Sequence, residues 1–202
     1  MKRISLNMKS TLLTLIKAGL LVFLISGCQS EYDKLVKREL TSNVIYEDLF
    51  LGLKFGQTQK EFFKICWDLN KQKVISQGPN NEYVRFLMEN GEIPGVEDNV
   101  EMLFYGIFDK NQVMRGIRKR FSFLGWSLWN EEYHSFELIE KLKDYYLKEY
   151  GGNEFIEIDL NLEGVKTYVK VDGNRQILMY PVDKKDVVVK IEDTRYKVSQ
   201  ND

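Results

Sequence analysis

Val100-Glu-Met-Leu-Phe-Tyr-Gly-Ile-Phe108, the polar tetrapeptide Asp109-Lys-Asn-Gln112, and Val113-Met-Arg-Gly-Ile-Arg-Lys-Arg-Phe-Ser-Phe-Leu124 decide the fold. Two long runs rich in aromatic and aliphatic residues flank a turn signal, the pattern of an antiparallel hairpin. Val113, Ile117, Phe121 and Phe123 share one alternating phase, which assigns them to a buried face. A lone hairpin is marginal in water, so further strands and a helical layer must cover that face.

The flanking sequence supplies both. Upstream, Thr58-Gln-Lys-Glu61 has the spacing of a capping box. Phe62, Ile65, Cys66 and Leu69 recur at helical steps, with Phe63 and Trp67 widening the stripe, which predicts a helix over residues 59–70. Residues 44–55 read as a strand-like run, and residues 83–88 as a strand after the turn Gly78-Pro-Asn-Asn81. Downstream, Asn130 followed by two acids opens a second helix carrying Phe136, Ile139, Leu142, Tyr146 and Tyr150, and Gly151-Gly152 stops it. Four short strands follow, with turns at Asp172-Gly-Asn174 and at residues 182–186. Val165, Val169 and Val171 alternate with Lys166, Tyr168 and Lys170, so one face of this meander is expected to be wet.

These elements define an α+β fold, an antiparallel sheet of about seven to eight strands with two main helices packed on one face. Residues 44–202 form one domain, with 44–125 and 126–202 as candidate halves. The halves share no identity at a fixed period, which leaves a duplication open. The element order is similar to the two-layer fold of small outer-membrane-assembly lipoproteins and of beta-lactamase-inhibitor-like proteins, which repeat a helix-plus-hairpin unit. That likeness is of element order alone and carries no function.

The N-terminus sets the expected address. Lys2, Arg3 and Lys9 precede an eight-residue apolar run, Ala18 to Ile25, in the order of a secretory signal. A spanning helix needs roughly 20 apolar residues, so the run serves export and not permanent anchorage. Leu24-Ile-Ser-Gly-Cys28 resembles the lipobox of bacterial lipoproteins. The resemblance implies a signal peptide over residues 1–27, diacylglyceryl attachment to the Cys28 thiol, cleavage before it and acylation of the new amine. Two or more chains hold a protein stably on a membrane where one does not. Gln29 in place of Asp leans, by similarity, toward the outer membrane. Residues 28–43 read as a lipidated tether, with room for a short amphipathic helix, and fifteen residues at roughly 3.3 Å each would reach about 50 Å.

Removing the leader from 202 residues leaves 175, ample for a core. Four of the 29 basic residues go with it, leaving 25 against 30 acidic ones, a net charge of about −5 that argues against a nucleic-acid partner. With Cys28 acylated, Cys66 is the only other cysteine; no intramolecular disulfide is expected, and Cys66 reads as a core thiol.

Catalytic and metal motifs are sparse. His134 is the single histidine and has no serine elbow or second thiol near it in sequence. One histidine and one spare cysteine cannot build the usual soft-metal set. Asp159, Asp172 and Asn174 are oxygen donors, yet Asp-Gly-Asn is explained by a turn and lacks EF-hand spacing. No phosphate-binding glycine loop or dinucleotide fingerprint occurs, so no cofactor, metal or catalytic residue is expected. The basic run Arg115, Arg118, Lys119, Arg120 splits across two strand faces and reads as a solvated strand, with a patch for anionic lipid or glycan as the alternative.

The candidate binding residues lie in the link between the long hairpin and the second helix, where Trp126, Trp129 and Tyr133 follow Gly125. Tryptophans there could plug the helix–sheet junction, form a platform for sugar rings, or anchor a protein partner. The expectation is a non-catalytic binding or envelope-assembly module, with a carbohydrate or peptidoglycan binder as the first alternative and an enzyme of unfamiliar mechanism as the last. Metabolic labelling with a palmitate analogue is expected to mark the wild type and spare Cys28→Ala; equal labelling of both would remove the anchor.

Overall fold

The computed structural model describes residues 30–159 and 165–198. Cys28 and the leader lie outside the described residues. The elements, in chain order, are α1 (Glu31–Thr41), β1 (Asp48–Phe50), β2 (Leu53–Lys54), α2 (Gln59–Lys71), β3 (Ser76–Gln77), β4 (Val84–Met88), β5 (Val100–Phe108) and β6 (Met114–Phe123). They continue with α3 (Ser135–Tyr150), β7 (Ile156–Ile158), β8 (Thr167–Asp172), β9 (Arg175–Pro181), β10 (Val187–Asp193) and α4 (Thr194–Val198). The fold is α+β. An eight-stranded sheet in the order β3-β4-β5-β6-β10-β9-β8-β7 is antiparallel throughout, and β1 with β2 forms a separate ribbon.

The long hairpin forms as its sequence demands. Asp109 Oδ1 accepts from the amides of Asn111 (2.8 Å) and Val113 (3.0 Å), which closes the turn. Pairing then runs from Val100–Phe123 to Phe108–Met114, with a register shift between Ile107 and Phe108. The shift leaves Arg115 as an extra residue and turns Met114 into the core, so Met114 is fully buried while Val113, expected there, is only half-buried.

Helices α2 and α3 both cover this face. The capping box at α2 is present: Thr58 Oγ1 accepts from the Glu61 amide and Glu61 Oε2 from the Thr58 amide, at 3.2 and 2.8 Å. Phe62 and Cys66 of α2 join Leu138, Ile139, Leu142 and Tyr146 of α3 against Phe104, Ile117, Phe121, Met179 and Val189 of the sheet. Burial pushes the Cys66 thiol up to about 11, so it packs as a small hydrophobe. Helix α3 begins at Ser135, five residues after Asn130, because Asn130 instead caps a 3₁₀ turn (Glu131–Tyr133) and His134 is extended. Leu138 lies in its buried stripe, and Phe136, expected there, is 53% exposed.

Within the segment read as a tether with room for a short amphipathic helix, residues 31–41 form that helix, and it is docked on the domain. From Glu31 onward the segment is a helix, capped by Ser30, that packs on the second face of the sheet. Leu35, Tyr32 and Val36 sit at helical spacing among charged residues and cover Val169, Val171, Ile156, Ile158 and Leu178. The meander therefore has no wet face at β8, where all six residues are buried. Tyr168 and Lys170 point to the other side; the Tyr168 hydroxyl donates to Glu140 of α3, and Lys170 Nζ lies 2.7 Å from Asp172 Oδ2.

Lys119 overturns the solvated-strand reading for its own position. It stands on the core face of β6, 1% exposed, its ammonium 4.2 Å from the Phe50 ring centroid and 5.5 Å from that of Tyr146. Burial holds it down at about 7, with Glu149 opposing the shift. A lysine in the unfolded chain titrates near 10.4, so above about pH 7 the unfolded state holds the extra proton and stability rises with pH. Wild type is expected to gain up to about 1.4 kcal/mol per pH unit between about pH 7 and 8.5 relative to Lys119→Met. Urea unfolding of both chains at several pH values checks this, and parallel pH profiles would refute it.

Candidate functional site

The link from β6 to α3 is built by close approach and by stapling to a neighbouring turn. A Cβ on Gly125 would stand 2.7 Å from Asp98 Oδ2, so only glycine lets the chain bend there without displacing Asp98. The Leu124 amide donates to Asn99 O (3.0 Å) and the Trp126 amide to Phe123 O (3.2 Å), which fixes the bend. Two donors then reach the β9–β10 turn: Trp126 Nε1 donates to Lys184 O at 3.2 Å, and the Ser135 amide donates to the same oxygen at 2.9 Å. The Ser135 hydroxyl donates to Asp183 O. That turn is itself closed by Asp183 Oδ1, which accepts from the amides of Lys185 (2.7 Å) and Asp186 (2.8 Å).

The three candidate aromatic residues have different fates. Trp126 is half-buried, packed on the core, with the Lys185 ammonium 5.9 Å from its centroid. Trp129 is 89% exposed. Tyr133 is half-buried against Phe123 at 5.1 Å, and the Asp98 carboxylate beside it raises its hydroxyl above the ordinary range. Tyr133 lines a cleft of about 670 Å³ whose rim carries Glu97, Asp98, Glu132 and Glu137 against one cation, Lys141. Neither tryptophan lines that cleft. The rings therefore do not make one platform: Trp126 plugs the junction, Tyr133 backs an acidic cleft, and Trp129 stands free.

Four apolar residues accompany Trp129 on the link and on the parts stapled to it. Leu124 (47%), Leu128 (49%), Phe136 (53%) and Val182 (52%) are all substantially exposed. Sequence reasoning missed Phe136 and Val182. Phe136 falls off the stripe of Ser135, Leu138, Ile139, Leu142 and Tyr146, a phase error of one residue. Val182 follows Pro181 in a turn, and the pairing of β10 with β6 and the bonds from Trp126 and Ser135 bring that turn to the link.

The remaining candidates are committed elsewhere. His134 is buried beside Trp126 with ring centroids 6.5 Å apart, and its Nε2 has no hydrogen-bond partner among the described residues. The basic run disperses: Arg115 pairs with Asp109 at 2.8 Å under the Tyr196 ring, Arg120 lies 3.7 Å from Asp186, and Lys119 is in the core. Asp172 Oδ1 accepts from the Asn153 amide (2.7 Å), and Asn174 brackets Tyr46 by accepting from its amide and donating to its carbonyl. Among the described residues no group of three or more His, Cys, Asp or Glu is arranged to hold a metal, and no helix is long and apolar enough to cross a membrane.

No protein-family model matches the chain, and no curated protein does. Among solved structures the chain is similar to a DUF4309 family protein (YjgB) from Bacillus subtilis subsp. subtilis str. 168, at 12% identity over 79% of this chain and 96% of that one, with a TM-score of 0.34.

Burial separates the two tryptophans energetically. Trp129→Ala is expected to stay within about 0.5 kcal/mol of wild type in urea unfolding, whereas Trp126→Ala, which empties a packed junction and removes one of the two hydrogen bonds to Lys184 O, is expected to cost about 2 kcal/mol. Equal losses would contradict this division.

Proposed function

We propose that the chain is a bacterial lipoprotein, anchored through acylated Cys28 and leaning to the outer membrane, that acts as a non-catalytic binding or envelope-assembly module for a protein partner. The observation that carries the reading is Trp129, 89% exposed on a link whose neighbours Leu124, Leu128, Phe136 and Val182 are exposed as well. Exposed apolar residues gathered at one place mark interaction surfaces, and tryptophan is the side chain most enriched where binding energy concentrates.

The placement of this surface supports the same reading. Glu39 of α1 accepts from the Gly173 amide at the β8–β9 turn, whereas the Trp129 link is stapled to the turn at the other end of β9. Seven residues of β9 at roughly 3.3 Å each separate those ends by about 20 Å. A chain held at Cys28 would then carry the aromatic surface on a domain whose helix α1 and link are fixed relative to each other.

Affinity capture with the detergent-solubilised native protein tests the proposal. Trp129→Glu and Leu128→Glu are expected to lower recovery of a discrete envelope protein by about thirtyfold or more, with unfolding unchanged. Trp67→Glu, at a surface position on α2, is expected to leave recovery intact. Undiminished recovery with both link variants would overturn the proposal. Binding to a glycan array that is lost in Trp126, Trp129 and Tyr133 variants would instead support the carbohydrate reading.

A further inference from the structure

Helix α1 has two unlike sides. Its apolar side, centred on Leu35, is used up on the sheet. The position is held by more than packing: the Tyr32 hydroxyl donates to Gln176 Oε1, Glu39 Oε2 accepts from the Gly173 amide at 3.1 Å, and Arg38 donates to Asn153 Oδ1 at 3.2 Å. The helix is thus fixed relative to the domain, and so is whatever its other side presents.

That other side is basic. Lys34, Lys37, Arg38 and Thr41 are all exposed, fall at i, i+3, i+4 and i+7 along one side of the helix, and line one shallow depression with Ser42. Lys34 and Lys37 form no ion pair among the described residues, and Arg38 pairs only with its own neighbour Glu39, at 3.1 Å. The nearby acid Asp33 is occupied at the helix start, where it accepts from the Ser30 amide and hydroxyl at 3.3 and 2.7 Å, while Glu31 stands on the flank. Among the described residues the two lysine charges of this side have no counter-charge in an ion pair.

We infer that this basic stripe rests on the anionic headgroups of the bilayer that holds the chain, a step that rests on the acylation of Cys28 proposed above. Cys28 stands two residues before the cap Ser30, and two extended residues reach about 7 Å. An acylated Cys28 therefore brings the start of α1, with Lys34 one turn further on, to the headgroup layer. With the apolar side already buried, the helix cannot insert its hydrophobic residues as an interfacial helix does, so the contact is electrostatic. The occupant is a surface of anionic phospholipid, and the contact sets the orientation of the domain on the membrane.

The test uses the full-length product isolated with detergent from its own membranes and returned to vesicles. One set is phosphatidylcholine alone; the other contains phosphatidylcholine and phosphatidylglycerol at about three to one. Acetylation rates of single lysines are read by mass spectrometry. On the anionic vesicles Lys34 and Lys37 are expected to react at least about fivefold more slowly than on neutral ones, while Lys60 and Lys64 of α2 are unchanged. The protection is expected to vanish in about 1 M salt, where the screening length is only about 3 Å. It is also expected to vanish in Lys34→Gln/Arg38→Gln read at Lys37.

The outcomes separate the two readings. Failure of the wild type to float with neutral vesicles overturns the anchor, and this inference with it. Flotation with equal reactivity on both vesicle types overturns this inference alone. Protection on neutral vesicles produced by excess inorganic phosphate would also overturn it, by showing a free-anion site in place of a bilayer contact.

Discussion

The pairing of β6 with β10 is the contact on which the rest depends. From Val187–Phe121 to Glu192–Gly116 it joins two meanders that are otherwise local in sequence, β3 to β6 and β7 to β10, into a single sheet. Without it neither half has a face broad enough for its helix, because the core shared by α2 and α3 draws on Ile117 and Phe121 from one meander and on Met179 and Val189 from the other. The join is tight: a Cβ on Gly116 would lie 2.5 Å from Ile191 O. A side chain there would force the central strands apart, so glycine is a packing requirement at this point.

Among the described residues three buried cations stand on β6, β8 and β9, and each is accommodated differently. Lys119 faces the rings of Phe50 and Tyr146. Arg175 stacks between Tyr46 and Tyr150, at 4.3 and 4.0 Å, and burial draws it below its ordinary range. Lys170 is fully buried and meets Asp172 at 2.7 Å. Ring faces offset part of the desolvation cost of a cation without a counter-charge, whereas the Lys170 pair is tied to fixed geometry by the Asn153 amide on the same carboxylate. These arrangements also hold the N-terminal segment in place, since Tyr46 is bound to both Arg175 and Asn174.

The fold separates two surfaces of opposite character. At one end of β9, α1 carries an exposed basic stripe; at the other, the link after β6 carries exposed aromatic and aliphatic side chains. Because α1 is bonded to the β8–β9 turn and the link to the β9–β10 turn, a rigid strand fixes their separation. Under the anchorage proposed above, the orientation of the domain would be built into this topology, and a long flexible tether would erase it.

How far the sequence speaks follows from the range of the forces involved. The capping box at Thr58, the turn at Asp109 and the stop at Gly151 rest on contacts within a few residues, and each stands as its residues demand. The α+β class and the strands of the long hairpin follow from alternation and helical spacing, which are also local. For residues 31–41 the sequence allows a short amphipathic helix but not its docking, because the apolar stripe is short and set among charges; Val169 and Val171 on a distant strand give Leu35 something to bury against. Lys119 reads as a solvated charge in any window of sequence, and the sheet's second layer alone places it in the core. In the candidate site the sequence supplied Trp126, Trp129 and Tyr133, but their sorting into plug, free ring and cleft wall came from bonds to Lys184 and Asp98 across the fold. By itself the sequence determined the local elements and the aromatic residues of the link; the tertiary structure decided which faces are covered, because burial depends on residues far away in the chain.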